Sequence, residues 1–323
     1  MTTMIMTPDH LLAAVDRAAR KYIPTKRDQD FRLQLDRLFA RDASGIAIAT
    51  PRKDAGTGDA KGLAVIEAAG GGKSSLIEQG LSRHPLLQPK HDDHRPWLKV
   101  LAPSPATTKS LGIAILLASG YEDVSRRNSE QEIWQMVRHR LQLLGVVFLW
   151  IDEAHDLFGS AAPVQVQDTQ KALKNIMQGR GAVSVILSGI DTLWALTSCD
   201  EQVNRRYAKM PLASISAVAD EKLLSQIVRV LCAEVGMSAP VGADLLGRLV
   251  HASRGRFGRF IENILAALEV AAQDCASDLE MRHFATAWAR QEGCVMGGNV
   301  FLAKNWAQID LGQNKVASQK GGR

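Results

Sequence analysis

The chain has 323 residues, 46% of them hydrophobic, enough for one large or two modest domains with a sizeable core. Lys and Arg number 39 against 34 Asp and Glu, giving a net charge of +5 and a pI near 9.1, a mildly basic balance compatible with nucleic acid but not diagnostic of it. No apolar run approaches the roughly 18 residues a membrane-spanning helix needs, and the N-terminus lacks a signal-peptide pattern. Cys199, Cys232, Cys275 and Cys294 form no C-x-x-C pair, so the expectation is a cytoplasmic protein with reduced, mostly buried thiols.

In chain order, apolar positions first recur at helical spacing (Leu11, Leu12, Val15, Ala18, then Phe31, Leu35, Leu38, Phe39) and break near Pro24. This predicts two amphipathic helices forming an N-terminal arm over residues 1–45. Thr50 to Gly62, "TPRKDAGTGDAKG", is rich in turn formers and charges and reads as a loop. From Leu63 the pattern alternates: "LAVIEAA", a helix from Lys73, "WLKVLAP", a helix through Leu116, another over Ile133 to Leu144, "VVFLWID", a helix over Ala172 to Met177, "VSVILSG", a helix to about Tyr207, and "KMPLASI". Strands alternating with helices imply an α/β domain, residues 46–217, with a parallel five-stranded sheet covered on both faces. Four helical patterns follow near 219–235, 242–253, 257–274 and 278–291, an all-helical domain over 218–292. Residues 293–323 read as a tail, poorly ordered at its end.

Two motifs carry chemistry. After "LAVIE", Gly70, Gly71 and Gly72 permit inward-facing backbone N–H groups, Lys73 is placed to reach phosphates, and Ser74 to ligate Mg²⁺. The usual G-x-x-x-x-G-K-[ST] loop would have glycine where Glu67 stands. The second motif, "VVFLWIDEAH", ends an apolar strand on Asp152, suited to the Mg²⁺ shell, and Glu153, suited to orient and deprotonate an attacking water. Together they indicate an ATP and Mg²⁺ site. A helicase reading of "DEAH" would require a second nucleotide-binding-like domain, and the remaining chain is short and helical.

Other positions stay open between two roles. Ser188, ending "VILS", either touches the attacking water or caps the next helix. Arg205 and Arg206, before the last strand, either complement a helix dipole or reach a neighbour's ATP. Arg259 in "SRGRFGRF" either leans over the nucleotide or belongs to a solvated basic face. "HDDH", His91 to His94, has metal-like residue types but reads as a hydrated loop, since four adjacent residues rarely converge on one ion.

The ordered set, Gly70-x-Gly72-Lys73-Ser74, Asp152-Glu153, Ser188, Arg205-Arg206-Tyr207 and "GRFGR", resembles the AAA+ ATPases, whose P-loop domain is followed by a small helical lid. Within them, "KYIPTKRD", "PSPATTKSLGIAILLASGYED" and "LWIDEAHDLFG" resemble the TniB transposition regulators, related to TnsC, MuB and IstB. The resemblance implies phosphate binding by Gly70 to Ser75, Mg²⁺ held at Ser74 and Asp152, Glu153 as base, Ser188 as the first sensor, Arg206 (beside Arg205) as the arginine finger and Arg259 as the second sensor. It also implies an ATP-dependent oligomer, ring or filament, on double-stranded DNA. This would recruit or activate a DDE transposase of the TniA/TnsB type, often with a TniQ-like partner, and hydrolysis would disassemble it. Lys109 and Lys174 are the DNA-contact candidates, as cations that could follow phosphates. An IstB-like helicase loader and a STAND-type nucleotide switch independent of DNA are the competing readings.

Overall fold

The computed structural model describes residues 7–125, 127–159, 163–198, 201–240, 242, 244–294 and 296–311. Its elements are α1 (Pro8–Ala19), α2 (Lys26–Asp36), β1 (Phe39–Arg41), β2 (Ala47–Pro51), β3 (Gly62–Ile66), α3 (Lys73–Ser82), β4 (Trp97–Leu101), α4 (Thr108–Ala118), α5 (Glu130–Leu143) and β5 (Phe148–Asp152). There follow α6 (Asp156–Gly159), α7 (Pro163–Ile176), β6 (Ser184–Gly189), α8 (Thr192–Ser198), α9 (Glu201–Asn204), β7 (Tyr207–Pro211), α10 (Glu221–Val235), α11 (Leu245–Ala252), α12 (Phe257–Gln273) and α13 (Met281–Glu292). The chain divides into two compact units: Pro24–Ala69 with Lys73–Ala213, and Met1–Ile23 with Gly70–Gly72 and Ser214–Arg323.

The first unit is α/β. Its five-stranded sheet has the order β4-β5-β6-β3-β7, and every neighbouring pair is parallel. In β3, β5 and β6 every residue is buried, as expected of strands covered on both faces, and this explains their unbroken apolar runs. One face packs Leu111, Ile115, Ile133, Val137 and Leu141 of α4 and α5; the other packs Phe31 and Leu35 of α2 with Leu76, Ile77 and Leu81 of α3. Helix α2 starts at a Thr25–Asp28 capping box, a feature worth about 1 kcal/mol. It approaches α3 closely because position 80 is glycine: a Cβ there would lie 2.4 Å from the Phe31 ring.

The parallel sheet has two chemically distinct ends. Register pairs Gly62 with Tyr207 at the N-terminal end of β3, and Ile66 with Gly189 at its C-terminal end. Glu67, the start of α3 and Asp152 therefore lie at one end of the sheet, and the Arg205–Arg206 turn at the other.

The second unit is helical. Leu11, Ala14, Val15 and Ala18 of α1 pack with α10, α12 and α13 around Leu224, Leu231, Phe260, Ile264 and Phe284. The two N-terminal helices thus do not form one arm, because the apolar face of each belongs to a different core. Thr50 to Gly62 is not simply a loop: it includes the end of β2, which pairs antiparallel with β1, and a Lys53–Ala60 bridge. Phe39 turns out to begin β1 instead of ending a helix. In the tail, Val300 and Phe301 are buried in the helical core, while residues 312–323 lie outside the described ones. Cys232 is buried, its thiol pushed up to about 11 by burial, whereas Cys275 is exposed and Cys294 half-buried, so the thiols are not mostly buried; Cys199 lies outside the described residues. No described helix is long and apolar enough to cross a membrane.

Candidate active site

The loop between β3 and α3 depends on glycine. Gly70 and Gly72 have φ of 80° and 93°, a left-handed backbone that side chains disfavour. Residues 70–72 cluster with the helical unit, where the Arg259 amide donates to the Gly70 carbonyl at 2.9 Å. A Cβ on Gly258 would come within 2.5 Å of that carbonyl, so α12 must start with little side chain there. The Arg259 side chain runs alongside: a Cβ at Gly70 would meet its Cγ at 2.9 Å and its Nε at 3.1 Å.

In the α/β unit, Lys73 opens α3 and is 5% exposed, its ammonium donating to the carbonyls of Glu67 at 2.8 Å and Ala68 at 3.4 Å. It sits at the helix end whose unpaired amides attract anions. One residue on, Ser74 Oγ donates to Asp152 Oδ2 at 2.8 Å, joining the start of α3 to the end of β5. A hydroxyl and a carboxylate converging in this way fit Mg²⁺, which takes few protein oxygens and completes its shell with water and phosphate.

Asp152 is held on every side. Its Oδ1 accepts from Ser188 Oγ at 2.7 Å and from the Glu153 amide at 3.1 Å, and Ser188 Oγ in turn accepts from Trp150 Nε1 at 2.8 Å. Lys99 Nζ lies 3.9 Å from Asp152 Oδ2, 3.3 Å from Glu78, and 4.4 Å from the centre of the Trp150 ring. Glu153 follows with φ 53°, and its side chain is 41% exposed, so its carboxylate is open to a water. His155 stands beside it, Nδ1 3.3 Å from Glu153 Oε2 and Nε2 3.5 Å from Asp156. The absence of a side chain at Gly189 makes room: a Cβ there would be 3.2 Å from His155 Nδ1.

Glu67, which replaces the first loop glycine, is turned toward α2. Arg27 Nη1 donates to Glu67 Oε1 at 3.3 Å, the two side chains being 17% and 6% exposed, and Arg27 also donates to the Ala213 carbonyl. The carboxylate is therefore balanced by a cation from another element.

Two of the expected site residues are engaged by buried partners. Ser188 is fully buried, its hydroxyl donating to Asp152 Oδ1 and accepting from Trp150 Nε1. Arg206 is not extended for a finger: Nε and Nη2 both donate to Asp59 Oδ2, at 3.2 and 2.9 Å, in a pair whose side chains are 13% and 6% exposed. Arg205, by contrast, is 74% exposed and, among the described residues, is ion-paired only with exposed Glu201. Lys109 on the first turn of α4 and Lys174 on the last turn of α7 are half-buried on helices joined by a Thr108–Thr169 hydrogen bond of 3.2 Å. Ser75 is exposed. His91 and His94 make a ring contact at 5.4 Å, and no group of three metal-binding residues occurs among those described.

Sequence reasoning did not single out Arg27, Asp59, Lys99 or His155. Only His155 carried a local signal, its place two residues after Glu153; the others act across 40 to 147 positions of chain.

The model of a family described as "Bacterial TniB protein" matches residues 53–217. No curated protein matches the sequence. Among solved structures, the chain is similar to the Aeropyrum pernix ORC1 protein in complex with DNA, with TM-score 0.59 and 16% identity over 89% of this chain and 69% of that one. It is also similar to Cdc6p from Pyrobaculum aerophilum (TM-score 0.59, 14% identity, 88% and 75% covered) and to Drosophila ORC bound to DNA (TM-score 0.53, 12% identity, 89% and 70% covered). At these identities the likeness establishes the fold, which is that of the AAA+ ATPases.

Proposed function

The chain belongs to the bacterial TniB family, and on that premise we propose that it is an ATP-hydrolysing transposition regulator. It oligomerises on double-stranded DNA as a ring or filament and recruits or activates a DDE transposase of the TniA/TnsB type, with a TniQ-like protein as targeting partner. The observation that carries the ATPase reading is the meeting of Ser74 with Asp152 at 2.8 Å, directly after the glycine loop and beside exposed Glu153.

In this reading the amides of Gly70 to Ser75 and the Lys73 ammonium bind the phosphate chain, displacing the Lys73 bonds to Glu67 and Ala68. Ser74 and Asp152 would hold Mg²⁺, whose charge would offset that of the phosphates. Glu153 accepts the proton of the attacking water, and His155 sets the direction of its carboxylate. Arg259, against Gly70, adds a cation at the loop. Arg205 is the finger, since it is exposed while Arg206 is anchored to Asp59. Lys109 and Lys174 remain the DNA contacts of this reading.

Phosphate release and sedimentation of the purified chain, with ATP, Mg²⁺ and duplex DNA, test it. Hydrolysis together with ATP-dependent growth in size on DNA is expected. A chain that neither turns over ATP nor grows with it would sink the reading. Capture of a DDE transposase on the DNA-bound assembly tests the partner.

A further inference from the structure

At the N-terminal end of the sheet, away from Asp152, the α/β unit has a basic groove. Its volume is about 520 Å³, and its cations are Arg37, Arg52, Lys53, Lys61, Arg205 and Arg206. An adjoining groove of about 300 Å³ shares Arg37 and Arg52 with it and adds Arg41 and one acid, Asp36, whose carboxylate is taken by Arg32 at 3.0 Å and faces His84 at 2.9 Å. These residues come from separate segments: the end of α2, the stretch after β2, the residue before β3 and the turn before β7.

The acids do not balance them. Asp54, in the groove wall, is taken by Lys61 at 2.6 Å, and Asp59 by Arg206 at 2.9 Å. Among the described residues Arg205 has one ion-pair partner, exposed Glu201, a kind of pair that contributes little and is easily displaced. Arg37 and Arg52 are exposed and have no ion pair among the described residues. Several uncompensated cations in one concavity repel one another and raise the local potential for an anion. Guanidinium groups match phosphate oxygens two at a time, which a solvated lysine patch would not do. Tyr207, the aromatic residue in the wall, is buried, so no ring is offered to a base and the groove suits a phosphate chain.

We infer that this groove is a second phosphate-binding site, in which Arg37 and Arg52 join Arg205 to hold a chain of phosphates. Two sources have this chemistry: the nucleotide carried at the opposite sheet end of a second copy, and the backbone of duplex DNA. The first rests on the function proposed above; the groove's affinity for phosphate does not.

The direct test therefore uses the Lys73→Ala chain, disabled at its own loop, titrated calorimetrically with inorganic tripolyphosphate. Binding that weakens by about tenfold or more when Arg37→Glu and Arg52→Glu are added supports the site. Absence of binding, or binding indifferent to both changes, overturns it, whatever the ATPase assay gives. Both arginines are exposed, and Lys222→Glu with Arg229→Glu, two exposed sites in the helical unit, is the charge-matched control. In the otherwise native chain, loss of ATP-dependent sedimentation without DNA assigns the phosphates to a second copy. Unchanged self-association with a salt slope of DNA binding lowered by about 2 assigns them to the duplex. If neither quantity moves, the site is not used and the inference fails.

Discussion

Arg27 and Glu67 lie 40 residues apart in sequence and meet at 3.3 Å, so the carboxylate that interrupts the usual glycine loop is held by a guanidinium from α2. Removing one member of such a pair costs more than removing both. Arg27→Ala is expected to destabilise the chain by roughly 3 kcal/mol, and Arg27→Ala with Glu67→Gly by clearly less. Urea denaturation of the single and double variants measures the difference; equal losses would refute the coupling.

Glu153 and His155 should separate binding from chemistry. Glu153→Gln is expected to bind ATP as the parent does and to lose turnover by roughly 10²–10⁴-fold. His155→Ala, which removes the ring 3.3 Å from Glu153 Oε2, should lower kcat with little change in KM, and His155→Gln should restore part of it. Steady-state kinetics reads both; a rise in KM at constant kcat would place His155 in nucleotide binding instead.

Ser188→Ala removes the acceptor of Trp150 Nε1 and a donor to Asp152 in a fully buried position. A stability loss of about 1–3 kcal/mol is expected, together with a higher Mg²⁺ concentration for half-maximal turnover. If turnover falls with stability and Mg²⁺ dependence unchanged, the hydroxyl acts on the water after all.

The neighbouring arginines should differ in kind. Arg206→Ala strips buried Asp59 of its guanidinium and should lower stability, by roughly 3 kcal/mol. Arg205→Ala should leave thermal stability nearly unchanged and reduce turnover of the assembled protein by roughly 10³-fold or more. Melting curves and turnover at concentrations that favour assembly distinguish them.

Burial lowers the pKa of His84 below its usual 6.5. Its Nδ1 accepts the Leu86 amide at 3.1 Å and its Nε2 faces Asp36 at 2.9 Å, an arrangement of the neutral ring. The unfolded chain therefore takes up a proton first as pH falls, so the stabilisation is present above about 6.5 and declines below it. His283 and His94 shift the same way, also through burial. Urea midpoints should drop from about pH 8 to about pH 5.5, and less steeply in His84→Gln.

The fold was legible because its central strands are short apolar runs buried on both faces, and each phosphate-site motif follows one of them. The glycine loop and the Asp152–Glu153 pair stood out because each is contiguous in sequence and follows an apolar strand. Arg27, Asp59 and Lys99 act through partners that only the packing of α2, the Lys53–Ala60 turn and the edge strand β4 brings close. The same limit applied to Arg205 and Arg206: sequence gives the pair equal standing, and burial separates them.

Trp150 joins three of these features. Its indole is fully buried, donates to the serine that holds Asp152, and lies under the Lys99 ammonium at 4.4 Å. Any ligand that draws on Asp152 changes the field at that ring. In a chain whose other five tryptophans are changed to Phe, the emission of Trp150 is expected to shift when a ligand engages Asp152.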